Sequence, residues 1–141
     1  MAGLIIPPTF LSQNWLDKLM EKLNSDLQYA RIAQNWEGDL GIFIEKGENL
    51  AEPIFLHLDL WHGKCRNTKF RSDSGDINPS FLLTASYDNI LKILTGELDP
   101  MQAMMTRRLH VKGSMGYMMR NVPTVLDFVR CAREVTSDIL G

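Results

Sequence analysis

The chain is poor in cysteine: Cys65 and Cys131 are its only two, and they form no C-x-x-C pair. A disulfide scaffold is therefore not expected, and a reducing compartment fits. Long hydrophobic runs are missing too, since none approaches the roughly 20 residues that span a bilayer. Residues 1–8 lack a basic region and are too short for a secretory signal, and the chain ends Ile-Leu-Gly rather than in a peroxisomal tripeptide. Cytoplasm is the expected location. An excess of charge of either sign is absent, with 15 Lys and Arg against 17 Asp and Glu, a net charge of −2 and a pI near 5.9. That balance gives no electrostatic footing for nucleic-acid binding.

Catalytic signatures are equally scarce. There are three histidines, and none has metal-ligand or nucleophile–base spacing. His57 and His62 fall on opposite faces of a strand and its turn, whereas His57 and Asp59 share a face and could pair. His110 is expected to be exposed. The run Gly113-Ser114-Met115-Gly116 is not a nucleophile elbow, because its first glycine adjoins the serine. Gly63-Lys64 lacks the upstream glycine of a phosphate loop. Asp73, Asp76 and Asn78 lack the terminal glutamate of a calcium loop and read as turn residues. No catalytic residue, metal or cofactor is expected, so the chain reads as a non-enzyme.

What the chain has in quantity is apolar residues, 45% of 141, and methionine. At this length one domain buries about 68–70% of its unfolded surface. Six of the eight methionines fall between residues 101 and 119, in two triplets: Met101, Met104, Met105 and Met115, Met118, Met119. Each triplet has i, i+3, i+4 spacing, which groups its side chains on one side of a helix. Between them residues 109–112 alternate apolar and polar, as a half-buried strand does. Asp99-Pro100 is a helix start, with Gln102 placed to complete a capping box. Gly96 ends the preceding helix, and Ser114 caps the next. An apolar helical face is ordinarily core. Methionine, with three soft torsions and a polarizable sulfur, also suits a wall that must fit flexible hydrocarbon.

The remaining pattern predicts an α+β domain. Residues 1–9 read as an irregular arm, because Pro7-Pro8 opposes helix there. Residues 10–36 form a helical part in two segments, split at Asn24-Ser25-Asp26. Strands follow at 40–45, 54–61, 65–71 and 81–85, and the short connections make the early strands antiparallel. In the third strand Arg66, Thr68 and Phe70 alternate with Cys65, Asn67 and Lys69. Ser86 caps a helix bearing Tyr87, Ile90, Leu91 and Leu94. Pro123 opens a last helix with Val125, Phe128, Ala132, Val135 and Ile139 in a stripe. The expected architecture is a five-stranded, mainly antiparallel sheet with helices packed on one face.

The run Gly96-Glu97-Leu98-Asp99-Pro100, a short apolar helix and then Leu109-His110-Val111-Lys112-Gly113-Ser114-Met115 resembles the hallmark of the sterol carrier protein-2 family. Ala103 falls where that family often has alanine. Arg107 stands where many members carry glycine, and Ser114 where Asp or Asn is common. The likeness runs loosely over residues 36–129, within a single domain spanning 1–141. It implies a five-stranded sheet with helices on one side and a lipid tunnel between them. Function would then be non-catalytic binding or carrying of a fatty acid, acyl-CoA, sterol or other lipid. Expected wall residues are Met101, Met104, Met105, Met115, Met118, Met119, Phe81, Ile90, Leu91, Leu94, Val125 and Phe128. Expected partners are the hydrophobic small molecule, with a transient membrane-surface contact, a homodimer or a partner enzyme left open. The alternative function is a protein-interaction or dimerisation module, or an accessory to lipid or quinone metabolism.

Overall fold

The computed structural model describes residues 10–141, so the expected arm at 1–9 lies outside it. Helices α1 (Gln13–Ser25) and α2 (Leu27–Ile32) come first. Strands β1 (Leu40–Glu45), β2 (Ile54–Trp61), β3 (Lys64–Arg71) and β4 (Phe81–Ser86) follow. Then come α3 (Tyr87–Leu94), α4 (Pro100–Met105), β5 (His110–Lys112), α5 (Met115–Arg120) and α6 (Val122–Leu140).

The starts of α1 to α5 fall where side-chain oxygens can accept otherwise unpaired amides. Ser12 accepts from the Trp15 N–H, Asp26 from Tyr29, Ser86 from Asn89, Asp99 from Gln102 and Ser114 from Tyr117. Asp26 breaks the N-terminal helical region in two, because its extended backbone (φ −84°, ψ 116°) ends α1 while its carboxylate starts α2.

The sheet order is β3-β2-β1-β4-β5. β1–β2, β2–β3 and β4–β5 are antiparallel, but β1 and β4 run parallel. The chain returns to β1 only after passing through β2, β3 and a polar loop, which leaves room for a parallel return. Registers Leu40–Leu58, Ile42–Leu56 and Ile42–Leu83 put these side chains on one face, toward the helices. Gly41, His57 and Leu82 lie in the alternate register and point the other way. A bulge between Leu58 and Leu60 corrects the expected alternation of β3. Thr68 pairs with Leu58 and Cys65 with Leu60, so Arg66 and Asn67 together face the single residue Asp59. The extra residue brings Cys65 onto the core side with Thr68 and Phe70.

Gly113 permits the sheet edge to close. Its φ is +141°, and a Cβ there would lie 2.6 Å from the Ser80 carbonyl oxygen and 2.8 Å from the Phe81 ring. Only glycine suits that conformation and that approach.

The helical layer is pinned by charge as well as by apolar burial. Arg130 on α6 donates to Asp26 at 2.6 Å and to Asp127 at 2.8 Å, and reaches Glu134 at 2.8 Å. Lys22 on α1 reaches Glu134 at 2.7 Å. Hydrogen bonding from Arg130 holds the Asp26 carboxyl well below the ordinary carboxylate range. Hydrogen bonds from Lys22, and then from Arg130, also lower the Glu134 carboxyl.

A candidate apolar ligand site between sheet and helices

The inner face of the sheet and the helices over it do not close completely. They enclose a cavity of about 100 Å³, partly open to the outside. Leu40, Ile42, Ile44, Leu56, Leu60 and Leu83 form its floor, and Ile90, Ile93 and Leu94 of α3 form part of its wall. Pro100, Met104 and Leu109 contribute from one end of β5, and Met118 of α5 from the other. Val125, Phe128, Val129 and Ala132 extend along α6. The N-terminal part supplies Leu11, Trp15 and Tyr29.

Three polar side chains of this wall, Trp15, Trp36 and Thr124, are directed at protein. The Trp15 indole N–H donates to Thr136 Oγ1 at 3.0 Å, and that hydroxyl donates to the Ala132 carbonyl at 2.8 Å. The Trp36 indole donates to the Gly38 carbonyl at 2.9 Å, and Thr124 Oγ1 to the Ile32 carbonyl at 3.2 Å. Burial pushes the Tyr29 phenol upward, so it stays neutral at ordinary pH. The interior therefore offers apolar contact and carries no fixed charge.

Of the residues expected in the wall, Met104, Met118, Ile90, Leu94, Val125 and Phe128 line the cavity. The other six lie outside its lining. Met105, Met115 and Met119 are solvent-exposed, and Met101 is half-buried. Helix geometry explains the α4 pair. Pro100, Ala103 and Met104 share one side, whereas at about 100° per residue Met101 and Met105 lie well round the helix. That orientation is fixed because the Ala103 carbonyl accepts from the Arg108 and Leu109 amides as the chain turns back. Phe81 is buried, but its ring packs 5.2 Å from Trp36 and 5.8 Å from Tyr117. Leu91 packs half-buried against the core. The wall residues missed from the sequence include Ile93, one turn after Ile90, and Leu11, Trp15 and Tyr29. The helical spacing of Trp15 and Tyr29 signalled burial without indicating what they would face.

Other polar groups form structural pairs. The His57–Asp59 pairing considered from the sequence does not form. His57 Nε2 instead meets Asp39 at 2.7 Å, while Asp59 accepts from Arg66 at 3.0 and 3.1 Å. Burial alone would raise the Asp39 carboxyl, but hydrogen bonds from His57 and Ser80 outweigh it and leave it lowered. Asp26, Asp127 and Cys131 offer donor atoms within 4.8 Å of one another. Arg130 already bonds both carboxylates, so a cation there would be opposed by its guanidinium. Among the described residues no helix is long and apolar enough to cross a membrane.

The arrangement matches known proteins. The crystal structure of a sterol carrier protein 2 superposes with a TM-score of 0.79 at 27% identity, covering 86% of this chain and 95% of that one. The solution structure of TT1886, a conserved protein of Thermus thermophilus, gives 0.80 at 26% identity, over 96% and 92%. The Aedes aegypti sterol carrier protein-2, solved with palmitate, shares the fold at 18% identity and a TM-score of 0.50, over 83% and 96%. No curated protein matches the sequence at a significant level. The SCP-2 sterol transfer family model matches residues 16–125, which takes in every strand and the wall from Trp36 to Val125. With the five-stranded sheet, the overlying helices and the apolar space between them in place, the chain belongs to the SCP-2 sterol transfer family.

Proposed function

We propose that this protein binds and carries a single-chain lipid, of the fatty acid or fatty acyl class, without acting on it chemically. The observation that carries this reading is the cavity. Its wall is apolar, and its indole and hydroxyl groups at Trp15, Trp36 and Thr124 already have protein partners. Such a space rewards removal of methylene groups from water, at about 0.8 kcal/mol each. It gives no preference to a polar substrate, whose groups would go unpaired.

The resting cavity of about 100 Å³ holds only part of a long acyl chain. Met104 and Met118 are the elements that yield. Each sits on a six-residue helix, and each side chain has three torsions with which to reshape the wall. Ile90, Leu94, Val125 and Phe128 supply the firmer surfaces. Family membership agrees with this class of ligand.

The test is denaturing extraction of freshly purified protein followed by lipid mass spectrometry, together with titration of stripped protein with palmitate in vesicle-free buffer. A copurified lipid or saturable one-to-one palmitate binding is expected. Failure of both would end the proposal.

A further inference from the structure

One polar group in the cavity wall has no protein partner among the described residues. Tyr29, in the first turn of α2, lines the cavity and is only 1% exposed. Its backbone N–H donates to Asp26, but its phenol hydroxyl forms no hydrogen bond with a described residue. Packing does not seal that hydroxyl off. Among the described residues, the fully enclosed polar side-chain atom without a partner is His57 Nδ1, on the other face of the sheet. The little surface Tyr29 keeps therefore includes its hydroxyl, on a residue that borders the cavity. The remaining polar side chains of the wall, Trp15, Trp36 and Thr124, are already engaged. A buried hydroxyl left unpaired is destabilising, and native folds seldom tolerate one. A trapped water would serve it poorly, because such a water needs roughly two to four polar partners and the wall side chains offer only this one.

The surroundings decide what kind of atom can meet this hydroxyl. Burial first, and then nearby Cys65, Cys131 and Asp127, oppose ionisation of Tyr29. The phenol thus keeps its proton and can donate it to an acceptor. No Lys, Arg or His lines the cavity. A carboxylate brought to Tyr29 would be stripped of water with no counter-charge, and would feel the Asp127 carboxylate as well. The acceptor that fits is a neutral oxygen. Packing alone would be served equally by phenylalanine, without the penalty of an unpaired hydroxyl, so the hydroxyl gains its use when the cavity is filled.

We propose that the Tyr29 hydroxyl donates a hydrogen bond to a neutral oxygen carried within the ligand's hydrocarbon chain, so that the preferred cargo is a single-chain lipid bearing one internal hydroxyl or keto group. Tyr29 is then a specificity-determining residue. The apolar wall fixes how much chain is buried, and this one hydroxyl selects where along the chain an oxygen is accepted. An acid group at the end of the chain stays away from Tyr29, toward the open side of the cavity. The inference rests on the carrier reading and narrows the class of lipid that the same site takes.

The experiment is displacement of a fluorescent fatty acid from the stripped full chain by stearic acid and by isomers carrying one hydroxyl near the carboxyl, at mid-chain or near the methyl end. A mid-chain or methyl-end isomer should bind about tenfold tighter than stearic acid, and the isomer substituted near the carboxyl should match stearic acid. The keto counterpart of the preferred isomer, which can only accept, should keep the preference, because Tyr29 is the donor. Tyr29→Phe removes one oxygen and leaves the ring packing in place. It should abolish the preference while holding stearic acid within about twofold of the wild type, and should raise the thermal midpoint of the ligand-free protein. A merely space-filling Tyr29 would shift all the acids alike. No isomer tighter than stearic acid, a preference that survives in Tyr29→Phe, or a preference for the hydroxyl that its keto counterpart lacks would overturn the proposal. Stearic acid that binds while the added oxygen makes no difference ends this inference and leaves the carrier reading standing. Failure of every acid to bind ends both.

Discussion

Filling the cavity from α6 should keep the fold and displace the ligand. Ala132 is 3% exposed and lines the cavity. Ala132→Leu adds three carbons to the wall at a point where space already exists. If they enter that space, the ligand-free protein gains up to about 2 kcal/mol from their burial. Some of this is offset by packing strain, which for inserted methylenes runs at about 1–3 kcal/mol. The net stability change should therefore be small. The ligand loses room for about three methylenes, worth about 2.4 kcal/mol or roughly a 50-fold weaker Kd. Val125→Leu adds one carbon to the same wall and should cost about fourfold. Displacement of a fluorescent fatty acid by palmitate gives the affinities, and calorimetric unfolding gives the stabilities. Folded variants that both bind palmitate within twofold of the wild type would refute the placement of the ligand in this cavity.

Particular side chains carry three further expectations. Asp26 is 12% exposed in its side chain and accepts from Arg130, so Asp26→Asn should cost about 2 kcal/mol at pH 7. Because the native Asp26 carboxyl is depressed, its stabilisation is complete above the ordinary value near 4 and lost as pH falls through the native one. Urea midpoints of wild type and variant should thus converge in acid; a constant gap from pH 7 to pH 3 would contradict this. Arg107→Gly should remove left-handed strain and raise stability by about 1 kcal/mol, a few degrees in Tm. A lower Tm would show that Arg107 makes a stabilising contact that outweighs its backbone cost. Burial pushes the Cys65 thiol to about 12 and the Cys131 thiol to about 11. Neither should react with an aromatic disulfide at pH 8 until the protein unfolds, and rapid stoichiometric labelling of native protein would be the opposing result.

The sheet was largely legible because strand alternation and turn residues are local signals. So were the caps, since Ser86, Asp99 and Ser114 accept the amides their sequence positions predicted. The parallel pairing of β1 with β4 was not legible, because it depends on a return across β2, β3 and the intervening loop. Nor was the bulge that turns Cys65 inward. The cavity wall was half legible. Methionine spacing pointed to a segment that supplies Met104 and Met118 to the cavity wall, but the same i, i+3, i+4 pattern groups Met101, Met104 and Met105 whichever way the helix is rolled. Contacts at Ala103 and Pro100 set the roll, admitting Met104 and leaving Met105 outside. The resemblance led to an expectation of glycine at position 107, while the backbone cost of Arg107 became visible only with φ at +62°.

The most direct measurement is the affinity of the stripped protein for saturated fatty acids of increasing length, with every ligand below its micelle concentration. Each added methylene should tighten binding about fourfold until the enlarged cavity is full, after which the trend should flatten or reverse. Affinity independent of chain length from the shortest acid onward would contradict burial of the acyl chain in the space between sheet and helices.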